Sequence, residues 1–358
     1  MAANTPQYDY AFAGTGAAAA ITYSILNKHN PHSSFLLVDK QNRPARHAAA
    51  FWHTSNATPL PALHTWDRYA VVDSSGQRHI KQLNRFAYSM HWSDEMISQL
   101  LKGVSVVHAR VESADATQVI SAGQSWNARH VFDSRWKRSG FCQLFSGRHL
   151  KLERPHSIHE PVLMDFTLPV RDNVVLGYQL PVASDEILIE VVSFGAVADI
   201  DGILDSYIAS QGLTGSTLLH ERGLTPLRLF RHQPGRIGIS GTVVRASNGY
   251  GLPYFLRDAQ LIAAGKRYYR PLLYNLSDLI LLNMVKRHPV RAHKLLNRLV
   301  SRLSGDDLIA FLDETMSVSA LPRFVSAMSP VAMLRYTAVN LLQIFNEYKK
   351  QTGDSADT

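Results

Sequence analysis

The stretch that decides the fold runs from Tyr8 to Asp39 and reads YDYAFAGTGAAAAITYSILNKHNPHSSFLLVD. A short apolar strand leads into two closely spaced glycines. The pattern then predicts a helix over Ala17–His29 and a second apolar strand over Phe35–Asp39. Strand, glycine-rich turn, helix and strand in this order are typical of a βαβ unit, in which the two strands lie parallel.

The motif Gly14-x-Gly16-x-x-Ala19 gives each of its small residues a role in binding a dinucleotide. Gly14 permits the tight turn, Gly16 lets the backbone approach a pyrophosphate, and Ala19 allows close packing of helix on strand. The pyrophosphate would lie at the helix N-terminus, where free N–H groups favour an anion. Asp39 would accept hydrogen bonds from the adenosine ribose, and Lys40 beside it is assigned to the same site.

The position of this motif at the start of the chain favours FAD as the dinucleotide. The motif alone also allows NAD, and the alternative without a ligand is a structural βαβ turn. The second predicted strand that ends on an acid, Trp126–Asp133, adds a further candidate. Asp133 is either a flavin contact or a cap at the strand end.

Composition places limits on the class of protein. The chain has 358 residues, of which 46% are hydrophobic, enough for one large or two closely associated domains. The net charge of +8, from 37 basic and 29 acidic residues, is spread without a long basic run. A nucleic-acid partner is therefore not expected, whereas a basic face toward anionic lipid is compatible with the charge. The single cysteine, Cys142, excludes an intrachain disulfide and fits a reducing cytosol.

Several catalytic signatures are missing from the sequence. There is no GxSxG nucleophile elbow, no GxxxxGK[ST] phosphate loop and no HExxH zinc motif. The nearest approach to a metal site, His156-x-x-His159-Glu160, lies beside prolines in a predicted loop, so no metal is expected. The longest apolar run, Leu279–Val285, is too short to span a membrane and ends at Lys286. The protein is therefore expected to be soluble or peripheral to a membrane.

The predicted fold class is α/β, with a Rossmann-like FAD-binding domain, a β-rich substrate domain and a helical C-terminal region. The FAD-binding domain is expected in two parts, 1–140 and 226–266, around a β-rich insertion at 141–225. The helical region is expected over 267–350 and a disordered tail over 351–358.

Within these regions, alternating and helical patterns predict individual elements. Strands are predicted over Val162–Leu168, Val174–Leu180, Glu186–Phe194 and Gly235–Gly241, and helices over Ile200–Gln211, Tyr254–Ala264 and Val331–Tyr348.

Glu190 is the most informative candidate for chemistry, because it interrupts the apolar strand Ile187–Val192. Burial would raise the pKa of its carboxyl group, and a carboxylic acid that stays protonated near neutral pH can act as a general acid. The alternative is an exposed side chain at a strand edge. Asp165 also lies among apolar residues, where an exposed position on an alternating strand is the simpler interpretation. Tyr250 precedes a predicted helix that either approaches a flavin ring or starts with an ordinary turn.

Many separated stretches together resemble one family, in the same order along nearly the whole chain. They are Tyr8–Gly16, Phe35–Asp39, Val131–Arg135, Pro161–Asp165, Gly177–Ser184, Ile187–Glu190, Arg236–Gly241, Ser247–Pro253, Leu295–Leu299 and Asp307–Phe311. This combination resembles the bacterial lycopene beta-cyclases, which are FAD-containing proteins of the flavoprotein monooxygenase-like superfamily.

The resemblance implies a reaction without net oxidation. Lycopene cyclases use reduced FAD, with NAD(P)H needed at most as a reductant. One end of a linear polyene is protonated, the cation closes a six-membered ring, and proton loss gives a β-ionone end. The resemblance implies that Glu190 is the proton donor or cation stabiliser. It assigns the substrate to Asp165 and Tyr178, and the flavin to Asp133, Gly241, Asn248, Gly249 and Tyr250.

The resemblance also implies an apolar polyene substrate and a location at the cytoplasmic membrane face, and it leaves the oligomeric state open. The chain departs from the family pattern at Val191, where the family has a second acid after Glu190. Two other functions stay open: a flavin oxidoreductase or monooxygenase, which would consume NAD(P)H, and a carotenoid- or flavin-binding protein without turnover, which Val191 favours slightly.

Overall fold

The structure is a computed structural model that describes residues 7–42, 44–55, 60 and 62–352. Its strands are β1 Tyr8–Ala13, β2 Phe35–Asp39, β3 Ala48–Thr54, β4 His64–Trp66, β5 Arg68–Val72, β6 Arg78–Gln82, β7 Phe86–Trp92, β8 Val106–His108, β9 Val111–Ala114, β10 Gln118–Ser121, β11 Gln124–Asp133, β12 Cys142–Leu152, β13 Val162–Asp165, β14 Val174–Ala183, β15 Glu186–Phe194 and β16 Gly215–Pro226. Its α-helices are α1 Ala17–His29, α2 Ser93–Leu100, α3 Ile200–Ser210, α4 Leu252–Ala263, α5 Leu272–Arg287, α6 Pro289–Arg302, α7 Gly305–Leu312, α8 Leu321–Met328, α9 Pro330–Val339 and α10 Leu341–Thr352.

The described residues fall into two compact units. The first comprises the ranges Met1–Phe51, Met90–Arg138 and Arg228–Arg270, and the second Trp52–Ser89, Ser139–Leu227 and Pro271–Thr358. A three-stranded sheet has the order β3–β7–β4.

The first unit is built on a six-stranded sheet of order β8–β2–β1–β11–β10–β9. Its first four strands are parallel, as the βαβ pattern requires, and β10 and β9 extend it in antiparallel pairing. Helices α1 and α4 cover one face, where Phe12, Leu37 and Tyr254 are fully buried. The predicted helix Ala17–His29 and strand Phe35–Asp39 are confirmed, and with them the Rossmann-like architecture.

The second unit contains a seven-stranded sheet of order β16–β12–β15–β14–β13–β5–β6. Helix α3 packs on one face of this sheet, where Ile187, Ile189 and Val191 of β15 contact Leu204 and Tyr207. The predicted strand Glu186–Phe194 is confirmed as β15, and it lies in the middle of the sheet. Helices α5 to α10 belong to the same unit.

The observed division differs from the predicted domains in residues 52–89, which were assigned to the FAD-binding domain. These residues group with the second unit because β5 pairs in parallel with β13 and β6 pairs with β5. The strands β12 and β16, which the sequence pattern did not predict, complete the other side of the sheet.

Two predicted elements are wrong. The expected strand Gly235–Gly241 is a single bridge between Arg236 and Asp133 followed by turns, because Gly235 and Gly238 have φ angles of +73° and +62° that a strand does not allow. The expected helix Val331–Tyr348 is two helices, α9 and α10, that meet at Asn340. There the Asn340 side-chain amide donates to the Tyr336 carbonyl over 2.8 Å.

The last helix extends to Thr352, two residues into the predicted disordered tail. The rest of that tail, 353–358, lies outside the described residues.

Candidate active site

The glycine turn of the first unit has the geometry expected of a phosphate-binding loop. Gly14 has a φ of +96°, and a Cβ built on it would lie 2.6 Å from Ser134 Oγ, so only glycine fits there. Gly16 is exposed, and no described atom lies within 4 Å of the Cβ position built on it. Ala19 is fully buried in the packing of α1.

The N-terminus of α1 opens onto this space. Gly16 is its N-cap, and among the described side chains none caps the helix by a hydrogen bond. The first-turn N–H groups are therefore available to an anion such as a pyrophosphate. The N-terminus of α1 is open, and the space around the Cβ position of Gly16 is empty of described atoms. A dinucleotide phosphate fits this space.

Asp39 lies at the end of β2 beside the glycine turn. Its Oδ2 accepts hydrogen bonds from the Thr15 backbone N–H at 2.6 Å and the Thr15 hydroxyl at 3.1 Å. Its Oδ1 accepts from the Gln41 N–H at 2.9 Å. Lys40 is exposed. The Asp39 carboxylate thus fixes the turn. It also lies at the position where the sequence pattern predicts the acceptor for the ribose hydroxyls.

Asp133 is held by two arginines, Arg135 just after its own strand and Arg236 from a segment that bridges to it. Its two carboxylate oxygens accept from Arg135 Nε at 2.9 Å and Nη2 at 3.0 Å, and Arg236 Nη1 lies 3.7 Å from Oδ2. The residue after it, Ser134, donates to the Ala13 carbonyl over 3.1 Å and lies against Gly14. Asp133 therefore orders the strand end, and Ser134 is the residue that meets the glycine turn.

The remaining predicted flavin residues lie in turns of the same unit. A Cβ on Gly238 would lie 2.5 Å from the Cβ of Ala18, which places the turn containing Gly241 against the first turn of α1. Further on, Asn248 Oδ1 accepts from the Tyr250 N–H at 3.0 Å, and Gly249 has a φ of +75°. Tyr250 packs against the α1–α4 core just before α4 begins.

Glu190 lies in a row of residues that crosses four neighbouring strands of the second unit. In register, Tyr178 of β14 faces Glu190 of β15, Glu190 faces Gly147 of β12, and Gly147 faces Glu221 of β16. Directly paired residues project from the same face of a sheet. This face is opposite the one that packs on α3, because α3 contacts Ile189 and Val191 on either side of Glu190.

The surroundings of the Glu190 carboxyl group favour its neutral form. Burial raises its pKa well above the ordinary value, and the nearby Glu221 carboxylate raises it further. The raised pKa of Glu190 therefore has two causes. The sequence pattern indicated only the first of them, burial. The arrangement suits a general acid.

Asp165 and Tyr178, the two predicted substrate contacts, lie on opposite faces of this sheet. Asp165 pairs with Gly177, so its side chain points to the face that carries α3. There Asp165 Oδ2 accepts from the Tyr207 hydroxyl at 2.8 Å, and Oδ1 accepts from the Thr167 hydroxyl at 2.6 Å. Burial, and then the charge of Asp165, raise the pKa of Tyr207, which stays a hydrogen-bond donor. The structure brings Tyr178 to Glu190 and leaves Asp165 in the packing of α3.

Sequence reasoning missed Glu221, which is only 3% exposed. It lies between His220 and Arg222 in a polar stretch, and neither alternation nor an apolar run marks β16 as a buried strand. No signal in the sequence pattern distinguishes it from a surface glutamate. Thr15 and Ser134, which shape the glycine turn, were also missed, although both directly adjoin predicted site residues.

The described residues were also compared with the requirements of a metal site and of a membrane-spanning helix. No group of three or more potential metal-ligating side chains comes together within them, and Glu160 of the histidine-rich loop instead accepts from Arg78 Nη2 at 2.6 Å. None of the helices in the part of the chain that the structure describes has the length and apolar character needed to cross a membrane.

Comparison with solved structures supports the fold. A geranylgeranyl bacteriochlorophyll reductase-like protein from Thermoplasma acidophilum is similar with a TM-score of 0.59 and 12% identity, covering 92% of this chain and 98% of that one. The flavin-dependent halogenase BrvH from Brevundimonas sp. BAL3 is similar with a TM-score of 0.55 and 13% identity, covering 95% and 96%. At such identities the likeness shows the fold alone.

Comparison with characterised sequences gives the family. A lycopene beta-cyclase of Pseudescherichia vulneris is 26% identical over 329 residues, which cover 82% of both chains. A lycopene beta-cyclase of a Paracoccus species is 25% identical over 283 residues, covering 72% of this chain and 73% of the relative. The family model described as lycopene cyclase protein matches residues 9–338. This chain therefore belongs to the lycopene cyclase family.

Proposed function

We propose that this protein binds FAD and cyclises an end of lycopene, or of a related linear polyene, to a β-ionone ring without net oxidation or reduction. The observation that carries the proposal is the position of Glu190, an acid whose surroundings raise its pKa, on a sheet face that also carries apolar side chains. Membership of the lycopene cyclase family supports the substrate class.

Glu190 would start the reaction as a general acid. Its O–H donates a proton to the terminal double bond of the polyene, and the resulting tertiary cation is attacked by a second double bond of the same chain. This attack closes a six-membered ring and moves the positive charge into it. Transfer of one ring proton back to the Glu190 carboxylate restores a double bond and regenerates the acid, so the product is an isomer of the substrate. The Glu190 carboxylate left by the first step can stabilise the cation.

The residues around the glycine turn would hold the cofactor. The N–H groups at the start of α1, the open space at Gly16 and the carboxylate of Asp39 fit a pyrophosphate and a ribose. Reduced FAD, when bound, would supply negative charge of the kind that stabilises a cation. NAD(P)H would serve only to reduce it.

We also propose that the protein associates with a membrane surface through its last helices. Eight apolar side chains on α8, α9 and α10 are at least two-fifths exposed: Val325, Val331, Leu334, Val339, Leu341, Leu342, Phe345 and Tyr348. Exposed Arg335 and Lys349 lie on the same helices. Apolar side chains interleaved with basic ones suit the surface of an anionic bilayer, from which an apolar polyene would be taken up.

The pigment profile of lycopene-accumulating cells tests the cyclase directly. Cells expressing the protein should form β-ringed products, and cells expressing Glu190→Gln should retain lycopene while the purified variant keeps its flavin. Glu186→Gln is the matched control, because Glu186 lies on the same strand but contacts His149 and Lys151 instead. We expect it to form product as the wild type does.

Three outcomes would contradict parts of the proposal. Product that appears only with stoichiometric NAD(P)H oxidation would indicate a flavin oxidoreductase or monooxygenase. Unchanged lycopene with flavin-loaded protein would indicate another polyene or a binding protein without turnover. Loss of FAD from Glu190→Gln would assign Glu190 to structure.

A further inference from the structure

The row of residues around Glu190 contains a second carboxylate that the sequence pattern did not reveal. Glu190 and Glu221 lie on β15 and β16, two strands apart and roughly 10 Å between backbones at ordinary sheet spacing. The intervening residue is Gly147, which has no side chain to separate them.

The space above Gly147 is filled by the two glutamates themselves. A Cβ built on Gly147 would lie 3.2 Å from both Cγ and Oε1 of Glu221 and 3.5 Å from the Cβ of Glu190. The Glu221 side chain therefore lies over the glycine, on the side where Glu190 begins. A similar relation holds two residues along the same pair of strands, where the Phe145 ring covers the Cβ position of Gly223.

We propose that Glu221 is the second acid of this site: it forms a carboxyl pair with Glu190 across Gly147 and keeps the reactive proton on that pair. The proposal rests on the proposed function, because it names the partner of the general acid. In this chain the acid that would follow Glu190 in sequence is replaced by Val191, which is fully buried on the opposite face against α3. A carboxylate across the sheet can assist Glu190, whereas one at position 191 would point away from it.

Several other charged or titratable groups of the second unit lie near the pair. Tyr178 faces Glu190 from β14, and Glu221 approaches from β16. Further along β15, Glu186 is paired with His149 at 3.1 Å and with Lys151 at 3.2 Å. On the α3 face, His220 and Arg222 contact Asp201 and not the pair.

Glu221 acts through Glu190 and is thus a positioning residue, so its test needs a readout that a purely structural residue would not change. A negative charge beside Glu190 favours the protonated acid. Glu221→Gln removes this charge, so Glu190 should lose its proton at lower pH. The alkaline limb of the kcat–pH profile should then move down by about one pH unit, and kcat at pH values above the wild-type limb should fall about tenfold with little change in KM.

Two further variants make the test specific. Gly147→Ala keeps both carboxyls but puts a methyl group between them, and we expect it to move the alkaline limb in the same direction. Glu221→Asp should restore part of the wild-type profile. Glu186→Gln is the control and should leave the profile unchanged. An unshifted limb in folded Glu221→Gln and Gly147→Ala would overturn the pair.

Infrared spectroscopy separates this proposal from the proposed function, because it needs no turnover. The stretching band of a protonated carboxyl, absent in Glu190→Gln holoprotein, should titrate at lower pH in Glu221→Gln than in wild type. If that shift occurs in a protein that does not cyclise lycopene, the pair is supported and the proposed substrate is wrong. If the wild type cyclises lycopene and neither the band nor the limb shifts, the pair is refuted.

Discussion

At the residue scale, the two glycines of the turn before α1, Gly14 and Gly16, are required for different reasons. Gly14 is buried with a left-handed φ of +96° and a side-chain neighbour at 2.6 Å, so a larger residue there disturbs the fold itself. Gly16 has ordinary extended backbone with a φ of −64°, and no described atom lies near its Cβ position. Its small size therefore matters for a ligand more than for the protein.

We expect Gly16→Val to lose FAD while the apoprotein stays folded. The branched side chain would occupy the space before α1, and valine as an N-cap costs at most about 1 kcal/mol of stability. Flavin absorbance of the purified protein and urea unfolding of the apoprotein measure the two effects.

Gly16→Ala, which adds a single methyl group, should keep part of the flavin affinity, whereas Gly14→Ala should destabilise the apoprotein. A full flavin complement in Gly16→Val would remove the dinucleotide interpretation of this turn.

At the scale of elements, helix α3 is fixed on the second sheet by one glycine and one tyrosine. A Cβ on Gly177 of β14 would lie 2.4 Å from Tyr207 Cζ, so the ring occupies the place of a side chain on the strand. The Tyr207 hydroxyl then reaches Asp165 at 2.8 Å and accepts from Gln179 Nε2 at 2.9 Å. This network explains why Asp165 is buried on the face away from Glu190.

Gly177→Ala should therefore lower the stability of the protein by about 1–3 kcal/mol, because the added methyl group forces the Tyr207 ring to move. Urea unfolding of Gly177→Ala, Tyr207→Ala and the double variant measures the coupling between them. In the Tyr207→Ala background, which lacks the ring, we expect Gly177→Ala to lower the free energy of unfolding by less than about 1 kcal/mol. Equal costs in both backgrounds would show that the ring and the glycine do not interact.

At the scale of the whole molecule, the C-terminal helices combine a buried and an exposed apolar surface. Leu282 and Ile344 are buried, and Lys286 of α5 pairs with Glu347 of α10 at 2.7 Å, which fixes the last helix within its unit. Leu334 and Leu342, in contrast, are 71% and 72% exposed. An apolar surface of this kind on a chain of net charge +8 suits an anionic membrane.

Leu334→Glu and Leu342→Glu should each weaken binding to anionic lipid vesicles by about tenfold or more, since burial of a leucine side chain contributes about 1.5–3 kcal/mol. Cosedimentation with vesicles gives the binding constants. Ile80→Glu is the control, because Ile80 is 52% exposed and belongs to strand β6 instead of these helices. Equal binding by the wild type and both variants would exclude this surface from membrane contact.

Features that depend only on neighbouring residues can be recognised from the amino-acid sequence. The turn from Gly14 to Gly16, the helix after it and the acid at Asp39 are recognisable because strand, turn and helix follow each other without interruption. Glu190 is recognisable because a single acid interrupts an apolar strand. In both places local pattern and observed structure agree.

Which residues of different strands lie side by side on a sheet depends on the tertiary structure. Gly147, Glu190 and Glu221 form one row through the pairing of β12, β15 and β16, which are far apart in the chain. Because the side chains of a strand alternate between faces, the pairing register also puts Asp165 with α3 and Tyr178 with Glu190. Register is set by hydrogen bonds between distant strands and by burial of their shared face, and neither is encoded in any short stretch of sequence.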